Sequence, residues 1–357
     1  MGEIEIMRRH AVVLICCCIL LSGCAQERVV DQINILQYMG VDVEEEKFKL
    51  NVSYPEYIKA SGGQSLVTTE SNVVYGVFTA LTGKSSQPVE MGQMRTLVLN
   101  EKFAKKYISE LADIINRQFT KSTKASIVLT DQSTKTIITE ASQKPPFFLS
   151  ELIDQNMDHG NTPNTNYHTF INQYYGEGQD IYFPVINMYK GVFQMDGVAV
   201  FKGDDLKLRL NVNEGLYLKL LKDKKRTGEY DFIAGTSSMY SFVILNGKSK
   251  IDVNEDGKTT VSLKLSIQLR EIPEQMNIQN QDDLDEIKKQ IEEKLSSEIK
   301  SMLIRLQQNK VDPIGFGEKY RRQHPIFKED EYYAKIYPHL SFEVKTSVNI
   351  LHAGVGQ

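Results

Sequence analysis

Apolar residues recur at two regular spacings along this chain, and the spacings predict strands and helices in both of its halves. Within residues 261–269 every second residue is apolar, without a break. This period of two predicts a strand that has one face in a core and the other in solvent. A second alternating run predicts a last strand over residues 342–350.

The longest helical pattern extends from about Asp282 to Gln307, where apolar residues recur in steps of three or four. Acidic residues occupy its first turn, where negative charge interacts favourably with the helix dipole. Because strand patterns flank this helix and it carries a single apolar stripe, we expect it to pack against a sheet rather than to form a coiled coil. The stripe consists of Leu284, Ile287, Ile291, Leu295, Ile299, Met302 and Leu306.

The N-terminal half alternates between the two patterns, whereas the chain beyond about residue 190 shifts toward strands. Both halves therefore have the pattern of an α+β protein, in which mixed β-sheets pack with amphipathic helices. We expect the main domain boundary near residue 190, between residues 24–190 and 191–357. Strand patterns cover residues 48–54, 96–99, 126–129, 192–201 and 206–210, and helix patterns cover 74–81, 103–115 and 148–153.

A short apolar run near the N-terminus predicts export. Residues 11–21 carry no charge, and Arg8 and Arg9 precede them, which is the arrangement of a secretory signal. At a rise of 1.5 Å per residue the run covers roughly half of a ~30 Å hydrocarbon core. Because it is too short to remain as a spanning helix, we expect residues 1–23 to be a signal peptide.

The run ends in Leu21, Ser22, Gly23 and Cys24, a segment that is similar to the lipobox of bacterial lipoproteins. Small residues before the cleavage point let a peptidase approach the chain closely. In the lipoprotein pattern, the cysteine becomes the N-terminus and carries S-diacylglycerol and N-palmitoyl groups. We expect this lipid attachment at Cys24; the alternative is an ordinary secretory signal with a cysteine at this position by chance.

The composition limits how the exported protein can attach to a membrane. Its 41% hydrophobic and 25% charged residues are ordinary for a globular protein. The formal net charge of −4 suits neither nucleic acid nor an anionic membrane surface, and we expect the basic runs 222–226 and 321–322 to be solvated faces. Stable attachment therefore requires acyl chains, two of them. After processing, Cys24 is the one remaining cysteine, so no disulfide can hold the fold.

Several segments begin like catalytic or metal-binding motifs, but each lacks a required residue. Residues 252–257 match the start of a calcium loop, yet its twelfth position is Leu263 instead of a carboxylate, so we expect a hairpin turn. The Gly-Lys-Ser triplets at 83–85 and 247–249 lack the earlier glycine of a phosphate loop. Residues 235–239 lack the closing glycine of a nucleophile elbow, and the histidines lack zinc-binding spacing. The sequence predicts no enzyme, metal or cofactor.

One segment is specific enough to suggest a family. Asp312–Gly317 (DPIGFG), directly after the long helix, resembles the C-terminal signature of the spore-germination GerAC-type lipoproteins, the C subunits of nutrient germinant receptors. Pro313 can end the helix side of this junction, and Gly315 and Gly317 permit a positive φ on either side of a buried Phe316. The same residues also fit a purely structural turn.

Other segments resemble the same family in the expected order. Residues 32–42 and 49–55 look like its opening strand pair, and Gly191–Lys202 looks like its central strand. With the lipobox, these segments extend the resemblance over essentially the whole chain. The sequence departs from the family in lacking tryptophan, because Ala25 and Phe327 stand where the family often has it.

The resemblance implies a lipid-anchored, non-enzymatic subunit of a germinant receptor in the inner membrane of a bacterial spore. It implies action with an A-type membrane subunit and a B-type transporter-like subunit, in response to nutrients such as amino acids or sugars.

Two other classes of protein stay open. A solute-binding lipoprotein of a transporter generally has two α/β lobes around a cleft, and a lipid-anchored hydrolase is disfavoured by the incomplete motifs.

Overall fold

The alternating patterns of the sequence form two large β-sheets in a computed structural model of the chain. Residues Asn34–Gln357 form one compact unit, so the two hinged lobes of a solute-binding protein are not observed in the described part of the chain. The described residues are 33–55, 64–118, 124–234, 238–254, 257–324 and 326–353, with four others among the first ten.

Strands and helices alternate through most of this unit. In chain order the strands are β1 (Asn34–Ile35), β2 (Tyr38–Glu44), β3 (Lys47–Pro55), β4 (Gln64–Ser71), β5 (Val89–Glu90), β6 (Thr96–Asn100), β7 (Ser126–Thr130), β8 (Ile181–Tyr189), β9 (Val192–Lys202), β10 (Asp205–Leu210), β11 (Gly228–Ala234), β12 (Ser238–Val253), β13 (Lys258–Glu271) and β14 (Ser341–Ala353). The helices are α1 (Gly76–Lys84), α2 (Glu101–Ala104), α3 (Ile108–Gln118), α4 (Thr134–Ser142), α5 (Phe148–Asp158), α6 (Tyr167–Tyr175), α7 (Val212–Lys222), α8 (Gln281–Gln308) and α9 (Phe316–Gln323). Before β14, helical turns cover Glu329–Glu331, Tyr332–Ile336 and Tyr337–His339.

The first large sheet has eight strands in the order β10-β9-β8-β7-β6-β2-β3-β4. Its central strands β2, β6 and β7 pair in parallel, and every residue of β6 and β7 is buried. Burial on both faces follows from helices on both sides, as is usual for parallel strands. Leu97 and Leu99 face one apolar cluster with α3, while Val98 faces another with α4 and α5.

The second large sheet has four strands in the order β11-β12-β13-β14, and its last two strands are parallel. β13 buries the five apolar residues of 261–269 and leaves the intervening polar residues more exposed, which confirms the expected period of two. α8 packs against this sheet through its predicted stripe, since Ile287, Ile291, Leu295 and Ile299 are fully buried in the same cluster as β13. An α+β fold with mixed sheets is therefore confirmed.

The apolar stripe over residues 103–115 does not form one helix as expected. It forms α2 and α3, with a break at Lys105–Tyr107. A residue that is distant in sequence explains this break. The Asp204 carboxylate accepts hydrogen bonds from the backbone N–H groups of Ile108 and Ser109, at 2.8 and 3.3 Å. A carboxylate at this position satisfies orphan donors of the first turn and starts a new helix.

Residue 190 lies in the turn between β8 and β9, two neighbouring strands of the first sheet. Lys190 and Gly191 both have positive φ there, at 51° and 80°. The first sheet therefore continues past the expected boundary, up to Leu210. Division into two domains near this residue stays a prediction.

β12 and β13 pair antiparallel on the two sides of the suspected calcium loop, which agrees with the expected hairpin. Val253 pairs with Thr259 across it, and Gly257 has a φ of 82°. Glu255 and Asp256 lie outside the described residues, as do residues 235–237 of the incomplete nucleophile elbow. Among the residues that are described, no group of histidine, cysteine, aspartate or glutamate side chains could hold a metal ion.

Candidate functional site

The segment Asp312–Gly317 is buried throughout, in a turn that leads from α8 to α9. α8 ends at Gln308, several residues before Pro313, so the expectation that Pro313 ends the helix is wrong. The chain leaves the helix through Lys310, which has a left-handed φ of 56°. A buried turn must satisfy its backbone polar groups within the protein, and this requirement explains the contacts that surround the segment.

Asp312 is fully buried and organises this turn. Its two carboxylate oxygens accept hydrogen bonds from the backbone N–H groups of Gly315 and Gly317, at 2.8 and 2.9 Å. Burial raises the pKa of the Asp312 carboxyl to about 6, and the backbone hydrogen bonds limit the rise because they favour the charged form. The aspartate of the signature thus holds its two glycines in place.

Asp312 also pairs with Asp180, which directly precedes β8 of the first sheet. The Asp312 N–H donates to the Asp180 carboxylate at 2.6 Å, and the Asp180 N–H donates to the Asp312 carbonyl at 2.9 Å. Lys202, the last residue of β9, forms an ion pair with the same carboxylate at 2.9 Å. Burial raises the pKa of Asp180, and the charge of Lys202 opposes this rise. This arrangement connects the signature to two strands of the first sheet.

The two glycines of the signature have different roles. Gly315 has a φ of 84°, which confirms the expectation for this residue. Gly317 does not have a positive φ; it lies in the first turn of α9, so that expectation is wrong. Glycine is needed at position 317 because there is no room for a side chain: a Cβ here would lie 2.7 Å from Gly178 Cα. Glu318 N–H donates to the Gly178 carbonyl at 2.8 Å and closes this contact.

Side chains from other elements complete the surroundings of the turn. Lys222 of α7 donates to the Pro313 carbonyl at 2.7 Å, and Tyr337 donates to the Val311 carbonyl at 2.6 Å. Burial lowers the pKa of Lys222. The expectation that the basic run 222–226 is a solvated face is therefore wrong at Lys222, and also at Arg226, whose Nε donates to the Leu220 carbonyl at 2.8 Å.

The structure thus places all five signature residues in this one buried turn: Asp312, Pro313, Gly315, Phe316 and Gly317. Phe316 is 1% exposed and packs near the ring of Phe342 in β14, with centroids 5.3 Å apart. The lipobox residues Leu21, Ser22, Gly23 and Cys24 lie outside the described residues.

Sequence reasoning missed Gly178 and Asp180, which contact the signature from a distant part of the chain. The sequence signal for them was the cluster Gly176-Glu177-Gly178 between a helix and a strand, where glycines indicate a turn or a close backbone approach. In the part of the chain that is described, no helix is both long and apolar enough to cross a membrane.

Comparisons with known proteins agree on one family. The family model described as "Spore germination protein N-terminal domain" matches residues 26–188, and "Spore germination B3/GerAC like, C-terminal" matches residues 196–354. The spore germination protein GerQC of Bacillus cereus is 26% identical over 348 residues, which cover 94% of this chain and 96% of that protein. The crystal structure of the GerBC protein shares the fold with a TM-score of 0.57 at 16% identity, over 88% of this chain and 97% of that chain.

Proposed function

Because the chain belongs to the GerAC-type family of spore germination proteins, we propose that it is a lipid-anchored, non-enzymatic C subunit of a germinant receptor. Family membership gives the chain a role in spore germination. In the proposed complex it acts with integral membrane A and B subunits. Cys24 would hold it at the outer face of the spore inner membrane.

The observation that carries the proposal is the pair of family matches, which follow each other along residues 26–188 and 196–354. They cover nearly the whole chain after the lipobox. The alignment with GerQC extends over 94% of this chain and 96% of that protein.

The environment of Asp312 supports a non-enzymatic role for the signature. The side chain is fully buried, and both of its carboxylate oxygens accept backbone hydrogen bonds. A general acid or base has to come within hydrogen-bond reach of a substrate, which this enclosed carboxylate does not. We infer that the signature serves the packing of the protein.

The position of the lipobox supports a body that stays near the membrane. Roughly ten residues separate Cys24 from the first strand at Asn34, and a fully extended chain spans at most about 3.5 Å per residue. The tether can therefore reach about 35 Å at most. A protein on such a tether remains within contact distance of integral membrane partners in the same bilayer.

The proposal is tested by comparing Cys24→Ala with Cys18→Ala in spores. Cys24→Ala removes the thiol that would carry diacylglycerol, so we expect release from the membrane fraction and slower nutrient-triggered germination. Cys18→Ala is a matched control, because it keeps the run 11–21 apolar and leaves the lipobox intact. Unchanged membrane association of Cys24→Ala would refute the anchor, and full germination without membrane association would refute the need for it.

A further inference from the structure

β11 is an outer strand of the second sheet, and an outer strand has one row of backbone N–H and C=O groups that no neighbouring strand uses. The contacts of Glu229 show which residues of β11 belong to this row. The Asn161 side chain donates to the Glu229 carbonyl at 2.8 Å and accepts from the Glu229 N–H at 2.9 Å. Because the direction of the backbone groups alternates along a strand, those of Asp231 and Ile233 also point away from β12.

Side chains occupy the other outer edges of the two large sheets, those of β4, β10 and β14. At each of these edges a helix side chain hydrogen-bonds to the backbone of the strand. These contacts are Lys84 to the Thr68 carbonyl at 2.8 Å, Arg305 to the Arg209 carbonyl at 2.7 Å, and the Val348 N–H to Glu292 at 2.7 Å.

β11 lacks this protection beyond Glu229. Within the described residues, no side chain hydrogen-bonds to the outward backbone groups of Asp231 and Ile233. β11 also has neither a proline nor a shift in its register with β12, two features that commonly interrupt an outer strand. We call the outward backbone groups and the exposed side chains of residues 231–233 the β11 edge. This edge is open to pairing with a further strand.

The side chains around the β11 edge carry net negative charge. Glu229, Asp231 and Ile233 are exposed on the outer face of the sheet, and the apolar Ile233 is 62% exposed. Glu271 lies in the same row as Asp231, two strands away, and is also exposed. Arg270 pairs with Glu229 at 3.3 Å, whereas Asp231 has no ion-pair partner among the described residues. Three carboxylates thus stand near one guanidinium group, which favours a positively charged partner.

We propose that the β11 edge binds an extended, basic segment of a partner protein, which joins the second sheet as an additional strand. The segment pairs with the outward backbone groups of Asp231 and Ile233, and its lysine or arginine side chains lie beside the carboxylates of the outer face. A second copy of this chain is disfavoured, because pairing of two β11 edges would bring two sets of these carboxylates together. The proposal rests on the second sheet alone and is independent of the lipid anchor and of a receptor complex.

Four short peptides test backbone pairing and charge separately. The basic probe is acetyl-Lys-Val-Lys-Val-Lys-amide, and the acidic probe has glutamate in place of lysine. Two further versions of the basic probe carry N-methyl groups, one on its lysines and the other on its valines. Since alternate residues of an extended strand direct their N–H groups to opposite sides, each version blocks one side of the peptide.

Fluorescence anisotropy of the labelled peptides with the full chain in mild detergent measures their binding. The acidic probe should bind about tenfold more weakly than the basic probe. One N-methylated version should lose binding and the other should keep it. No binding of the basic probe, equal binding of the acidic and basic probes, or the same behaviour of both N-methylated versions would overturn the proposal.

Ile233→Pro locates the binding to the backbone of the β11 edge. It removes an N–H group that β12 does not use, so the sheet should keep its fold, which circular dichroism checks. The basic probe should then bind about tenfold more weakly. Ile233→Thr is the matched control, because it keeps the N–H group and a β-branched side chain, and its binding should stay close to that of the wild type. Equal binding to both variants would contradict pairing at this edge.

Asp231→Lys tests the role of charge without changing the backbone. It should weaken binding of the basic probe and strengthen binding of the acidic probe. Asp113→Lys makes the same change of net charge at an exposed position of α3 and should alter neither. The same effect of both variants would overturn the assignment of charge. Sedimentation of the chain gives a last check: self-association that is lost in Ile233→Pro and kept in Ile233→Thr would assign the edge to a second copy and refute the basic segment.

Discussion

Gly317→Ala tests the close contact between the signature and the chain that leads into β8. The new Cβ would lie 2.7 Å from Gly178 Cα, 2.9 Å from Gly178 O and 2.9 Å from Tyr332 Cε1. Two of these three atoms belong to the backbone, which cannot turn aside as a flexible side chain can. One of the two segments has to move away from the other.

The expected loss of stability follows from two opposing terms. Extra atoms in a well-packed core typically cost about 1–3 kcal/mol, and a clash with backbone belongs near the upper end of that range. The higher helix propensity of alanine stabilises the fold by at most about 1 kcal/mol relative to glycine. We therefore expect Gly317→Ala to lower the free energy of unfolding by about 2 kcal/mol.

Gly83→Ala provides a matched control, because Gly83 also lies in a helix and a Cβ there would meet no atom within 4 Å. This variant should leave the free energy of unfolding unchanged or raise it by up to about 0.5 kcal/mol, because only helix propensity changes. Urea unfolding of both variants, followed by circular dichroism, measures the difference. If Gly317→Ala proved as stable as Gly83→Ala, the packing role of Gly317 would be refuted.

Two further predictions concern pH and the core. The pKa of the Asp312 carboxyl rises from 3.8 in the unfolded chain to about 6 in the fold, so the ionisation of Asp312 by itself should reduce the free energy of unfolding by about 3 kcal/mol as pH rises from about 4 to about 6. The free energy of unfolding of Asp312→Asn, measured at a series of pH values, should depend less on pH than that of the wild type. The difference between the two curves gives the contribution of Asp312 separately from other carboxyls such as Asp223. Parallel curves would contradict the raised pKa of Asp312. In α8, Ile291→Ala should cost about 2–5 kcal/mol because Ile291 is fully buried, whereas Ile304→Ala, at 37% exposure, should cost less than about 1 kcal/mol; equal losses in urea unfolding would refute the packing of this helix.

The sequence predicted the elements that have one buried and one exposed face. β13 and α8 each bury a single face, so their periods of two and of three to four were visible along the chain. α7 was missed because its apolar residues surround it: Leu216, Leu218 and Leu220 are all fully buried. A helix that is buried on several sides shows no stripe and therefore no helical period.

The signature was predictable as a family feature, but its physical role was not. Gly315 required a positive φ, which is a local property that glycine suggests. The roles of Asp312 and Gly317 depend instead on Asp180 and Gly178, which lie far away in sequence. The wrong expectation for Lys222 has the same cause. Its neighbours along the chain suggested a solvated basic run, but its ammonium group donates a hydrogen bond to the carbonyl of Pro313, which is distant in sequence. Contacts between distant segments leave no periodic pattern in a single sequence.

The central claim, that this chain is a receptor subunit, is tested most directly by affinity isolation of the full chain from spore inner membranes. The copurifying proteins would then be identified by mass spectrometry. We expect an A-type membrane subunit and a B-type transporter-like subunit in amounts comparable to that of the chain. Recovery of the chain from wild-type spores without either protein, with its attachment to the membrane preserved, would contradict the account.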